Sequence, residues 1–162
     1  MSDTGAVEIP TTGEGETPQL RVLAQYIKDL SFEAPGAPMA LLAQTAEQPR
    51  LDIEVDVQAG QLSPTDYEVV FSMKIRALRL EETIFHVELD MAGLLRLIGI
   101  PEDSIQPVLF IEGPRLLFPF ARRLVADLVR ESGFPPLMID PIDFVALYHS
   151  RQSNSGEQVG HA

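Results

Sequence analysis

Leu51-Asp52-Ile53-Glu54-Val55-Asp56-Val57 alternates apolar and acidic side chains without a break. Successive side chains of a strand point to opposite faces, so this is the pattern of a strand with one face buried and one in water. Ala59-Gly60 and Ser63-Pro64-Thr65-Asp66 supply turn chemistry directly after it. Tyr67, Val69, Phe71, Met73 and Ile75 then alternate with Glu68, Ser72, Lys74 and Arg76. Thr83, Phe85, Val87 and Leu89 alternate with Ile84, His86, Glu88 and Asp90. Connections this short favour an antiparallel meander. Upstream, Ala24 to Glu33 predicts a fourth strand, although its alternation is less clean and Arg21 to Lys28 also fits a helix.

Downstream the period changes. Leu94-Leu95-Arg96-Leu97-Ile98-Gly99 reads as a short helix ended by glycine. Asp103 or Ser104 is placed to cap a further segment with Pro107 in its first turn. The clearest helix runs from Arg115 to Ser132, with Leu117, Ala121, Leu124 and Leu128 at helical spacing and Val125 and Val129 widening the stripe. Pro119 falls near its start and Gly133 at its stop. Pro135-Pro136 interrupts the chain, and a last short helix after Pro141 carries Phe144, Leu147 and Tyr148. Strands first and helices afterwards predict an α+β domain: a four-stranded antiparallel sheet followed by helices packed on one face.

The chain has 162 residues, 45% of them hydrophobic, which is enough for one domain with a core. The small, polar, acidic residues 1–18 read as a disordered arm, residues 19–150 as the domain, and 151–162 as a flexible tail. The formal charge of −12 argues against nucleic acid and anionic membranes and favours a basic protein partner. No cysteine is present, so disulfides, thiolate metal sites and thiol catalysis are excluded. The N-terminus lacks a basic region followed by an apolar one, and no apolar run is long enough to span a bilayer.

Catalytic residues are not expected. His86, His149 and His161 are the only histidines, and no metal-protease, serine-hydrolase, phosphate-loop or dinucleotide motif occurs. A hydrolase built on His86 and the strand carboxylates would need them together in a cleft. Asp52, Glu54, Asp56, Glu88 and Asp90 read as a solvated strand face. The loop ligands of a calcium site are missing, so no metal and no cofactor is expected.

Several segments, in this order, resemble the export-chaperone family SecB. They are Lys28-Asp29-Leu30-Ser31-Phe32-Glu33-Ala34-Pro35, Tyr67-Glu68-Val69-Val70, Glu81-Glu82-Thr83, Gly99-Ile100, Leu117-Phe118-Pro119-Phe120-Ala121-Arg122, Gly133-Phe134-Pro135 and Pro141-Ile142-Asp143-Phe144. The resemblance spans Gln19 to Gln152. It implies an ATP-independent, cytoplasmic holdase that keeps precursor proteins unfolded and passes them to the SecA motor. It implies a homotetramer, a dimer of dimers, without nucleotide, cofactor or membrane insertion.

Residue by residue, the resemblance places a SecA-binding acidic patch at Asp29, Glu33, His86 and Glu88, where His86 departs from the family's usual leucine. It places a client-binding groove at Leu51, Ile53, Val55, Phe144 and Leu147, with Phe118 and Phe120 as further candidates. It assigns Val87, Leu89 and Met91 to assembly, and the long helix with Leu124 and Leu128 to the contact between dimers. The family's tail contacts a zinc-containing basic segment of the motor. Here Gln152 to Ala162 is short, with Glu157 its only acid. A SecB-like chaperone dedicated to one client, such as an antitoxin, would share the fold.

Overall fold

The computed structural model describes residues 15–43 and 47–157. The acidic arm read from the sequence lies almost wholly outside that range, as do the last five residues of the tail, 158–162. Four strands form one antiparallel sheet: β1 (Gln19–Glu33), β2 (Arg50–Gln61), β3 (Asp66–Arg79) and β4 (Glu82–Ile98). Their order is β1-β4-β3-β2. β2, β3 and β4 are the meander that the alternation predicts. β1 joins it beside β4; the short helix α1 (Met39–Leu42) follows β1, and β2 begins at Arg50 on the opposite edge.

The meander turns differ in chemistry. Between β2 and β3, the Ser63 hydroxyl accepts the Asp66 N–H at 3.0 Å and the Thr65 N–H at 3.3 Å. Between β3 and β4, Leu80 and Glu81 take φ of +48° and +69°, the left-handed pair a two-residue hairpin needs.

Paired residues share a face, so the register sorts the sheet. Tyr67, Val69, Phe71, Met73, Ile75 and Ala77 of β3 and Phe85, Val87, Leu89, Met91, Leu95 and Leu97 of β4 are buried on one face. Across it lies α3 (Gly113–Glu131), whose Leu117, Ala121, Val125 and Val129 are buried. Leu124 and Leu128, read from the sequence as part of that stripe, are half-buried at its side. The helix comes close because two glycines let it. A Cβ on Gly93 would stand 3.2 Å from Leu117 Cδ2, and one on Gly113 3.1 Å from Val69 Cγ1.

Four readings change, the second only by losing its alternative. Leu94–Ile98 is not a helix but the end of β4, paired with β1 and β3, and Gly99 at φ +64° ends the strand. A short apolar run carries no period that separates strand from helix. Arg21–Lys28 is strand throughout, which removes the helical alternative. The third change concerns the C-terminus: α4 (Phe144–Glu157) runs past residue 150, although Ser, Asn and Gly there read as tail. Between β4 and α3, α2 (Glu102–Pro107) has acids in its first turn but no side-chain cap, and Pro107 ends it rather than starting it, before a π turn at Val108–Glu112.

On the other face, the end of β4 is pinned by Arg96, which donates to both Asp66 oxygens at 2.7 and 2.8 Å. The guanidinium holds the Asp66 carboxyl below the usual carboxylate range. The unfolded chain therefore takes up this proton first as pH falls. The pair's contribution is present above the usual carboxylate range and is lost as pH drops through the depressed folded value. Urea unfolding at pH values between about 5 and 3 should show wild type losing stability more steeply than Asp66→Asn. Equal slopes would mean the pair contributes nothing.

Candidate functional site: two faces of one sheet

Among the described residues no element packs on the face away from the helices, and its side chains form rows across the strands. One row is Glu33, His86, Arg76 and Asp52. The next is Ser31, Glu88, Lys74 and Glu54, followed by Asp29, Asp90, Ser72 and Asp56. The four residues of the expected acidic patch therefore lie together on this face, on β1 and β4. His86 Nε2 stands 3.3 Å from Glu88 Oε1.

Charge is distributed unevenly over these rows. On β2, Asp52 lies 3.4 Å from both Arg50 and Arg76, and Asp56 pairs with Arg151 of α4. On β1 and β4, Asp29, Glu33 and Asp90 have no cation within 4.0 Å among the described residues. Asp29 is moreover the direct cross-strand partner of Asp90. Like charges opposite one another disfavour the sheet. Three acids without a cation within 4.0 Å thus lie on the β1–β4 side, against one in these rows on β2, Glu54, which stands opposite Lys74. Asp90 belongs to this group; from the sequence it reads only as part of a solvated strand face, although it follows His86 and Glu88 at strand spacing.

β1 reaches this arrangement through two bulges, at Leu23 and Lys28, where the register against β4 shifts. A bulge inserts one residue and flips the alternation after it. Beyond Lys28, Leu30 and Phe32 turn to the core and Asp29, Ser31 and Glu33 to the open face. Phe32 stacks on Phe85 with centroids 5.9 Å apart. Beside the bulge, Glu68 of β3 accepts the Lys28 ammonium at 2.6 Å and the Tyr26 hydroxyl. These bonds, Lys28 first and Tyr26 second, depress the Glu68 carboxyl, and the same hydrogen bond pushes Tyr26 up to about 12.

Acid–base chemistry by His86 and Glu88 would need shielding from water. They sit instead on an open sheet, where His86 lines a shallow hollow of about 470 Å³ together with Glu33, Lys74 and Arg76. Among the described residues no group of His, Cys, Asp and Glu is placed to hold a metal ion.

On the helix-side face, the apolar row of β2 outruns its cover. Val57 is buried and Val55 half-buried, but Leu51 and Ile53 are 36% and 41% exposed. Leu51 opens into a hollow of about 350 Å³ whose apolar walls include Pro49, Ile84, Phe85, Phe134 and Leu137. The hollow draws on three distant segments, so no local pattern announces it.

Other expected groove residues divide. Phe120 is 53% exposed on the outer side of α3 and Leu147 is half-buried. Phe118 and Phe144 are buried core, at 8% and 2% exposure, because they close an aromatic cluster with Phe71. Val87, Leu89 and Met91 are likewise core, at 0%, 1% and 5%. Their side chains face α3 and lie within the core of the protomer.

The family model described as preprotein translocase subunit SecB matches residues 13–155. A protein-export protein SecB of Parvibaculum lavamentivorans is 51% identical over 91% of this chain and 88% of its own. That of Afipia carboxidovorans is 46% identical over 98% and 96%, and that of Paramagnetospirillum magneticum 48% over 93% and 97%. Among solved structures, a Mycobacterium tuberculosis SecB-like chaperone in complex with an antitoxin peptide superposes with a TM-score of 0.63. It is 18% identical and covers 78% of this chain and 91% of its own, a likeness of fold alone.

Proposed function

The chain belongs to the SecB family, and from that premise we propose that it is a protein-export chaperone that holds unfolded precursors on one face of its sheet and docks on the SecA motor with the other. The observation that carries this reading is the separation of the two surfaces. An apolar row, exposed at Leu51 and Ile53 and half-buried at Val55, runs into an apolar hollow on the helix side. The acids Asp29, Glu33 and Glu88 lie on the open side, Asp29 and Glu33 with no cation within 4.0 Å among the described residues.

An unfolded chain offers apolar side chains without a fixed sequence. A long apolar surface with several weak subsites takes such a ligand, and affinity accumulates by multivalency. Holding requires no bond to be made or broken, so the reading involves no cofactor and no catalysis.

Assembly into a homotetramer is supported by surfaces that a lone protomer leaves uncovered. β1 is an outer strand of 15 residues, and Val22 and Ile27 on its helix-side face are 45% and 48% exposed. Leu116 and Phe120 are exposed on α3. Long apolar edges are a hazard unless paired, and a symmetric assembly pairs them. No described helix is long and apolar enough to cross a membrane, in keeping with a cytoplasmic role. Retention of Asp29, Glu33 and Glu88 on one face favours motor coupling over a chaperone dedicated to an antitoxin.

The test is a refolding assay with a stoichiometric excess of the chaperone over a denatured precursor. Wild type should slow both refolding and aggregation, and Leu51→Asp with Ile53→Asp should remove most of that effect in an assembly of unchanged mass. A wild type that slows neither process would overturn the holdase reading.

A further inference from the structure

Lys28 follows the odd pattern of a bulge: it is the extra residue between Ile27, opposite Met91, and Asp29, opposite Asp90. It leaves the strand next to Asp29, and neither Asp29 nor Asp90 opposite it has a counter-ion within 4.0 Å among the described residues. Electrostatics alone would seat it between Asp29 and Asp90. It reaches instead along the sheet to Glu68, whose own cross-strand partner is Leu94, four residues beyond Asp90 on β4. The Tyr26 hydroxyl, from the same strand as Lys28, donates to the second Glu68 oxygen. Ala92, between Asp90 and Leu94 on the same face, is small and leaves the way clear.

We propose that Glu68 is a positioning residue for docking: together with Tyr26 it holds the Lys28 ammonium away from Asp29 and Asp90, so that these acids stay uncompensated for a cationic partner surface. The inference rests on the reading of Asp29 and its neighbours as the motor-docking face. Two features make the hold effective. Glu68 is only 24% exposed at its side chain, so its pair with Lys28 is less screened than one at the rim. Two donors on one carboxylate keep it ionised and fix its orientation. Without Glu68, Lys28 is released beside Asp29 and Asp90 and competes with the partner's cations for them.

This has a signature that net charge does not share. Lys28 should harm docking only when Glu68 is absent. The experiment measures affinity of purified SecA for full-length wild type, Glu68→Ala, Lys28→Met and the double variant at one low salt concentration. Circular dichroism and assembly mass are recorded on each sample. Glu68→Ala should weaken binding roughly fivefold or more, within the range of couplings between neighbouring groups. Lys28→Met alone should change it less than about twofold. Added to Glu68→Ala, it should restore binding to within about twofold of wild type.

Wild-type affinity in Glu68→Ala would overturn the inference while leaving the docking reading intact. So would a double variant no better than Glu68→Ala. An equal gain from Lys28→Met in both backgrounds is the result of plain net charge and would also overturn it. Should Glu68→Ala not fold, Glu68→Gln keeps the Tyr26 bond, weakens the hold on Lys28 and is judged by the same comparisons. If reversing Asp29 and Glu88 leaves SecA binding unchanged, the docking reading fails and this inference with it.

Discussion

Reversing Asp29 and Glu88 together, as Asp29→Lys with Glu88→Lys, should abolish measurable docking on SecA at moderate salt and weaken it at least about a hundredfold at low salt. Each substitution removes a negative charge from the open face and adds a positive one. The acids that remain there with no cation beside them, Glu33 and Asp90, would then be flanked by lysines. A loss of roughly tenfold per reversed contact corresponds to about 1.4 kcal/mol each, modest for charge pairs across an interface. Much of the loss should fall on the association rate, since steering depends on the summed field. The fold should survive. Asp29 is exposed, and the one partner Glu88 loses is His86 at 3.3 Å. Binding by wild type should fall steeply with salt, whereas any residual binding by the variant should not. A variant of unchanged mass that binds within twofold of wild type would reduce the patch to a solvated surface.

The same variant should hold clients as well as wild type does. Leu51, Ile53 and Val55 point to the opposite side of the sheet from Asp29 and Glu88, and side chains on the two faces of a strand layer do not meet. A charge change on one face therefore reaches the other only through the backbone. Loss of both activities together would indicate a misassembled protein rather than a lost docking site.

How far the sequence alone reaches is clearest strand by strand. β2, β3 and the first half of β4 were legible because one face is apolar and the other polar, so the period of two survives intact. The placement of His86 and Glu88 on one face followed from that period. β1 was obscured because the extra residues Leu23 and Lys28 each shift the phase, so that one strand reads as three short misaligned ones. Leu94–Ile98 was unreadable for another reason. Leu94 and Ile98 on the open side are as apolar as Leu95 and Leu97 on the core side, and no contrast remains to carry a period. On α3 the stripe was legible but its centre was not. Burial is centred on Ala121 and Val125, which carries Phe118 inward and turns Leu116 and Phe120 outward. No local pattern tells which flank of a wide apolar stripe faces the sheet.

The second large effect follows from that centring. Phe144→Ala should lower the free energy of unfolding by about 3–5 kcal/mol, the usual cost of deleting a buried aromatic ring. Phe144 is the first residue of α4 and is 2% exposed. Its ring meets Phe71 of β3 at 5.6 Å and 83° and Phe118 of α3 at 6.0 Å and 71°, while Phe71 and Phe118 meet at 6.1 Å and 77°. Three edge-to-face contacts thus join a strand and two helices at one point, each adding to the area buried. The cavity left by alanine would be walled by rigid elements and could collapse only by drawing α4 inward. The other ties of α4 are fewer and less buried: Tyr148 stacks on Phe110 at 6.1 Å, Leu147 packs half-buried against the core, Asp143 accepts the Ala146 N–H at 3.0 Å, and Arg151 donates to the Val57 carbonyl at 2.6 Å. Without the ring they would have to hold the helix alone, so amide exchange in α4 should accelerate more than in β3 or β4. Denaturant unfolding at one protein concentration measures the loss, since assembly makes stability concentration-dependent. The groove role implied by family resemblance predicts the reverse, weaker client holding with stability changed by less than about 0.5 kcal/mol, the range of surface substitutions. A stability loss under about 1 kcal/mol would therefore return Phe144 to the client surface and remove it from the core.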